Sequence, residues 1–253
     1  MSLILAAHGT RRPVGVAMIG DLAAQVSTLL GRTVQVAFVD VLGPTPSEVL
    51  SGATGGPAIV VPAFLSRGYH VRTDLPAHVA ASGHRNVIVT PALGPGGEIA
   101  RIVAEQLVKS GWRPTDSVIL GAAGTSDSRA RADLHTTATL LSALTGSRVS
   151  LGFAAIGDPH IHEAVEKARA SARGNGARRV VVASYLLADG LFQEQLGASG
   201  ADLVSRPLGT HSRLAWLIAN RFRRAVPPVP AAATRHPVRR YRQGAPRLAM
   251  LDL

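Results

Sequence analysis

Two imidazoles and one carboxylate carry the chemistry that this sequence offers. Residues 3–13 read LILAAHGTRRP and residues 118–128 read VILGAAGTSDS, near copies in which His8 faces Ala123. At the same offset Asp40, in VAFVDVLGP, faces Ala155 in LGFAAIGDP. Where VVPAFLSRGYHVRTDLP is set against VVASYLLADGLFQEQL the offset drifts by six or seven residues, and His70 faces Leu191 or Phe192. Polar groups that both copies share serve the fold, whereas polar groups kept by one copy need another reason. Two imidazoles and a carboxylate, in a chain without cysteine, suit a borderline divalent ion such as Fe2+, Co2+ or Ni2+ with coordination positions left open. Acid and base work by the two histidines is the alternative.

The flanking residues point to an anionic ligand. Thr10, Arg11 and Arg12 follow His8, and Ser66, Arg67 and Tyr69 precede His70, so cations and hydroxyls surround both imidazoles. Such groups suit carboxylate recognition. The second copy has Ser126, Asp127 and Ser128 after its alanine and lacks the paired arginines. Among the other histidines, His160 and His162 are two apart at a helix start, a spacing that sends them to different sides. His78, His84, His135 and His211 have no partner at ligand spacing. The glycine-rich ALGPGGE lacks the spacing of a dinucleotide or Walker loop, and its copy PLGTHSR keeps the Leu-Gly pair, which reads as a shared structural turn.

The elements that must position these residues alternate between apolar runs rich in Val, Ile and Ala and stretches with helical spacing, the pattern of a parallel sheet covered on both faces. Strands are expected at 2–7, 34–39, 58–63, 86–90, 117–122, 149–154, 179–184 and 202–205, with helices at 13–30, 44–52, 72–83, 97–110, 127–144, 160–174, 190–199 and 210–224. One offset of 115 aligns Gly9-Thr10 with Gly124-Thr125, Phe38 with Phe153 and Leu93-Gly94 with Leu208-Gly209, so the chain reads as a duplicated α/β unit. The halves are 1–113, carrying the active residues, and 114–226, a degenerate repeat. His8, Asp40 and His70 each fall at or just beyond the carboxyl end of a predicted strand, the edge where doubly wound sheets bind ligands.

Composition sets the outer limits. With 253 residues, 46% hydrophobic and 17% charged, the chain has enough apolar content for two compact lobes. The apolar run at the amino terminus is too short for a signal peptide core or a membrane span, and a cytoplasmic protein with no membrane partner is expected. A formal net charge of +11 favours anionic partners. Nucleic acid is disfavoured by the 4% aromatic content and the lack of a binding signature, while a small polyanionic substrate fits. Residues 227–253, dominated by Pro, Ala and Arg, read as a disordered basic tail.

Three stretches in order, AAHGTRRP, FVDVLGPTPSEVL and VVPAFLSRGYHVRTDLP, resemble the sirohydrochlorin chelatase family, with similarity over residues 1–224. The resemblance implies a chelatase-like fold of two Rossmann-like lobes, each with a four-stranded parallel sheet, facing each other across a cleft. It also implies ATP-independent insertion of a divalent metal, Fe2+ favoured or else Co2+, into sirohydrochlorin in siroheme or cobalamin biosynthesis. The metal is then a substrate and no cofactor is permanently bound. His8 and His70 match the family's two active-site histidines, and Asp40 matches a position where the family more often carries Glu. The roles that follow are metal presentation and proton acceptance for His8 and His70, orientation or metal contact for Asp40, and substrate binding for Thr10, Arg11, Arg12, Ser66, Arg67 and Tyr69. A carrier of metal or tetrapyrrole on the same scaffold is the competing expectation. A monomer is expected, since a duplicated chain can complete one cleft alone.

Overall fold

The computed structural model describes residues 1–53, 55–175 and 179–226. The expected basic tail at 227–253 lies outside the described residues. Two parallel four-stranded sheets organise the chain. In the first half, β1 (Ser2–Ala7), β2 (Val34–Phe38), β3 (Ala58–Pro62) and β4 (Val87–Val89) lie in the order β2-β1-β3-β4. In the second, β5 (Ser117–Gly124), β6 (Val149–Ile156), β7 (Val180–Ser184) and β8 (Leu203–Val204) repeat it as β6-β5-β7-β8. The central strands β1, β3, β5 and β7 are apolar along their length and buried on both faces, as a sheet sandwiched between helices requires.

Among the described residues, eight α-helices cover the sheets. They are α1 (Pro13–Leu30), α2 (Pro46–Ser51), α3 (Leu75–Ala81), α4 (Gly97–Lys109), α5 (Ser128–Thr145), α6 (Ile161–Asn175), α7 (Leu191–Gly197) and α8 (Ser212–Ala225). A π-helical turn (His70–Asp74) precedes α3 and a 3-10 turn (Leu208–Thr210) precedes α8. The duplication extends to single hydrogen bonds. Ser27 in α1 donates to the Ala23 carbonyl at 2.7 Å and accepts the Val34 N–H at 2.9 Å, and Ser142 in α5 makes the same two bonds to Ala138 and Val149 at 2.8 and 2.9 Å. Both helices end on a left-handed glycine, Gly31 (φ 62°) and Gly146 (φ 68°), the conformation glycine adopts without a steric cost. The paired Leu-Gly turns are structural, as expected. Leu93 and Leu208 are buried, and a Cβ on Gly94 or Gly209 would collide with the Leu65 or Leu187 carbonyl oxygen.

The last helix of each half is exchanged. α8 packs against β3 and α1 of the first half, while α4 packs against β7 and α5 of the second. The sequence halves and the packed layers therefore differ by one helix each. One continuous apolar core results, running from Leu5, Ile19 and Val61 through Ile99 and Leu107 to Leu120, Leu141 and Phe222. Smaller clusters lie beneath the outer helices of each half, around Ile4, Val60 and Leu75 and around Ile119, Val182 and Leu196. α1 is long and apolar enough to span a membrane by length and composition, but its Ile19, Leu22, Ala23 and Val26 are buried against β2 and α8.

Candidate functional site: a histidine pair at a strand edge

The halves diverge where their first two strands end. In the second half β5 and β6 stay paired past Ala122 and Phe153, through a register shift, to Gly124 and Ile156. In the first half the equivalent pairing stops at Ala7 and Phe38. The chain then turns sharply about Val41, whose φ of 74° is the one positive value at a non-glycine among the described residues. Leu42 N–H donates to the Asp40 carbonyl at 2.9 Å across Val41, the bond pattern of a γ-turn. Gly9 lies under this turn, where a Cβ would collide with the Asp40 carbonyl and crowd Leu42 and Val41. With the pairing ended, His8 leaves the sheet and is exposed. Its Nδ1 lies 2.6 Å from the Gly9 carbonyl oxygen. A carbonyl only accepts, so Nδ1 carries the proton and Nε2 keeps a free lone pair.

His70 opens the π-helical turn, whose signature is the Leu75 N–H donating to the His70 carbonyl five residues back. That turn sets His70 Nδ1 2.6 Å from the Asp74 carboxylate. The bond makes Nδ1 the donor and leaves Nε2 as the lone-pair nitrogen, and a carboxylate holding one ring nitrogen in this way fixes tautomer and ring orientation in metal-handling histidines. Phe64 stacks on the same ring, with centroids 6.0 Å apart and planes at 23°, and Tyr69 stands edge-on at 6.1 Å. The His8 and His70 rings meet edge to face, with centroids 4.7 Å apart and planes at 76°. Residues 62 apart in sequence thus form one pair because β1 and β3 are neighbours in the sheet.

Charged links tie this edge to the second half. Arg67 grips the buried Asp133 of α5 with its backbone N–H at 2.8 Å and with Nε and Nη2 of its guanidinium, one to each carboxylate oxygen. Asp133 raises the Arg67 guanidinium above its usual value, through hydrogen bonding first and charge second. Arg72, inside the π-helical turn, donates to Asp127 at 3.1 Å, and Arg12 donates to Glu194 of α7 at 2.7 Å. Asp127 stands at the position of Arg12 in the repeat and caps α5; the Ala130 N–H, then that of Arg129 and the Arg72 charge, hold its carboxyl below the usual range. The two helix starts therefore make equivalent contacts across the halves with the charges reversed. Tyr185, buried at the end of β7, completes the connection by donating to the Leu65 carbonyl at 2.8 Å, and burial pushes its phenol pKa up.

The residues expected at the site separate into two groups. The structure brings His8 and His70 together, with Tyr69 beside them. Arg11 is exposed and lines an open groove with Thr10, Pro13, Val16, Val41 and Leu42. Ser66 is half-buried in the loop before His70. Asp40 is exposed, and its carboxylate accepts the Val41 N–H at 2.7 Å. Among the described residues no three His, Cys, Asp or Glu side chains gather as a metal cluster. Arg12 and Arg67, expected to hold substrate carboxylates, are engaged with carboxylates of the protein itself. The sequence reading missed Asp74 and Phe64. Asp74 is four residues after His70, a spacing that places both on one face of a helical turn.

The remaining histidines serve the fold or the surface. His160 and His162 do not diverge: their rings stack at 5.4 Å, because His160 turns inward to the Ala154 carbonyl at 3.0 Å. His78 bridges the Val39 carbonyl and Ser47. His211, without a partner in sequence, is buried at the start of α8 against Lys109 and Glu105 of the exchanged α4.

Two parallel sheets in tandem, each covered by helices and meeting at their carboxyl edges around a histidine pair, define a duplicated chelatase-like α/β protein. The chain belongs to the CbiX family, whose model matches it twice, over residues 2–110 and 117–225. A curated relative, the sirohydrochlorin cobaltochelatase of Methanopyrus kandleri, is 30% identical over 80 residues, which are 30% of this chain and 56% of the relative. The chain thus spans about half the length of that relative. Among solved structures, SirB from Bacillus subtilis with Fe3+ superposes with a TM-score of 0.72 at 19% identity, covering 88% of this chain and 94% of SirB. CbiX, described as the terminal enzyme of siroheme biosynthesis in denitrifying bacteria, gives a TM-score of 0.66 at 21% identity, covering 90% of this chain and 100% of that one. SirB from B. subtilis subspecies spizizenii in complex with cobalt gives 0.68 at 19% identity, covering 88% and 93%. At these identities the likeness establishes the fold.

Proposed function

We propose that this protein is a sirohydrochlorin chelatase, inserting Fe2+ or Co2+ into the tetrapyrrole without ATP. The observation that carries the reading is the His8–His70 pair, with centroids 4.7 Å apart and each Nδ1 occupied by an acceptor. Both Nε2 lone pairs are left for an incoming ion or a proton. Insertion replaces two pyrrole N–H protons by one divalent ion, and two fixed imidazoles on one side of the ring supply that chemistry. Each presents the metal or accepts a proton, but not both at once, so the two divide the work. Family membership over both halves and the named relatives support the substrate class.

Substrate recognition follows from charge. Sirohydrochlorin carries eight carboxylates around its rim, and Arg11, exposed in the loop that follows His8, is the cation expected to meet them. Arg12 and Arg67 contribute indirectly, by holding the two halves together through Glu194 and Asp133. Imidazole nitrogen accepts iron and cobalt alike, so the choice of metal, and with it siroheme or cobalamin synthesis, is decided by turnover with each ion.

The test is the initial rate of anaerobic insertion, followed by the change in macrocycle absorption, with Fe2+ and with Co2+. His8→Ala is expected to lower that rate by a factor of about 10²–10⁴. The fold is expected to persist, since Ala123 occupies the same place in the second half. Wild-type protein that binds sirohydrochlorin but gives no rate above the uncatalysed control would identify a carrier instead.

A further inference from the structure

The repeat also locates what stands across from the histidine pair. The positions of His8 and Val41 are held in the second half by Ala123 and Ile156, at the common offset of 115. Matching buried Leu75 to buried Leu196 places Leu191 at the position of His70. The second strand edge is therefore apolar wherever the first is reactive. These side chains are not core: Ile156 is 58% exposed, Leu191 56% and Phe192 37%. Ile156 ends β6, and Leu191 and Phe192 open α7, which packs against β6, so these exposed apolar side chains belong to adjoining elements and leave apolar surface in need of a partner.

Contacts place this edge beside the site. Gly190, the residue before Leu191, lies against Thr10, so that a Cβ there would be 3.1 Å from Thr10 Oγ1. Three residues after Leu191, Glu194 holds Arg12. From the other side Asp127, three residues after Gly124, holds Arg72 in the turn that carries His70. The carboxyl ends of the two sheets are thus joined by contacts that flank the residues carrying His8 and His70.

We infer that Ile156, Leu191 and Phe192 form an apolar wall that receives one face of a planar tetrapyrrole while His8 and His70 act on its central nitrogens. The inference rests on the chelatase reading above and adds the surface that positions the substrate. A macrocycle has a flat apolar centre and a charged rim, and only an apolar surface gains by covering the centre. The wall also withholds lone pairs. With Ala123 and Leu191 where imidazoles stand in the first half, no side chain at those positions competes for the ion from the second face.

The test is titration of full-length, metal-free protein with sirohydrochlorin, followed by macrocycle fluorescence, alongside steady-state insertion kinetics. The double variant Ile156→Ser/Leu191→Ser is expected to raise the sirohydrochlorin Kd and KM about tenfold or more, the order set by losing two aliphatic side chains from a buried contact. Its kcat should stay within about twofold of wild type, because the histidines are untouched. Leu191→Met, which keeps the apolar area, should retain wild-type affinity. A double variant with an unchanged melting temperature and unchanged Kd overturns the wall and leaves the chelatase reading standing. Failure of the wild type itself to bind sirohydrochlorin overturns both.

Discussion

Asp74 fixes the donor state of His70 without being able to reach past it. Its carboxylate holds Nδ1, and Nε2 is the nitrogen left for chemistry. Asp74→Ala is expected to lower metal affinity or insertion rate by about 10–100-fold, the usual cost of removing the carboxylate that orients a metal-handling histidine. Cobalt titration read by its d–d spectrum, together with the insertion rate, checks this. Val41 bears the opposite burden: a β-branched residue at φ 74°, with its side chain 43% exposed, has little packing to offset the strain. Val41→Asn, which tolerates the left-handed region, should stabilise the protein by about 1 kcal/mol. A thermal melt should show a rise of about 2–4 °C. At this scale the histidines were legible because the second copy had lost them. Asp40 reads equally as a turn residue or as a group near the ion, and composition does not show the γ-turn about Val41 that brings the Val41 N–H to its carboxylate.

Between elements, the decisive contact is the grip of Arg67 on Asp133, where an exposed guanidinium meets a carboxylate whose side chain is 2% exposed. Arg67→Ala leaves that buried acceptor with only the backbone N–H of residue 67. The expected cost is about 1–3 kcal/mol, read from denaturant unfolding. Arg67→Ala/Asp133→Ala should recover part of the loss, whereas a role confined to substrate binding would leave unfolding unchanged and raise only KM. Helix and strand positions were legible from apolar periodicity to within a few residues. The exceptions have physical causes. Helical spacing from residue 72 cannot distinguish an α-turn from the π-turn that begins at His70, because the two share side-chain types. Likewise, β5 and β6 run two residues beyond expectation because nothing polar interrupts their pairing there.

For the molecule as a whole, the buried junction of α4 and α8 predicts a pH dependence. Burial, then the Lys109 ammonium, pushes the His211 imidazole below its usual value, so the folded protein keeps it neutral where the unfolded chain protonates it. Stability from this site is therefore full above about pH 6.5, the ordinary histidine value, and falls as the pH drops from there towards the folded value. Denaturant unfolding at about pH 7.5 and 5.5 should show the loss. His211→Asn, which keeps a helix-capping side chain but cannot titrate, should reduce it. The duplication itself was legible, and the family model finds it independently by matching each half. The exchange of α4 and α8 was not, since an amphipathic helix reveals that it has a buried face and not which sheet receives it.

That exchange governs what would happen if the backbone were severed between Ser110 and Asp116. Each fragment would carry away a helix that belongs on the other's sheet, leaving its own inner layer bare, so the fragments should complement one another and neither should fold alone. Two copies of the amino-terminal fragment could satisfy each other by the same trade. Their union would put two histidine pairs face to face, with a second Val41 where Ile156 stands and a second His70 where Leu191 stands, whereas the present chain keeps one reactive bank and blanks the other.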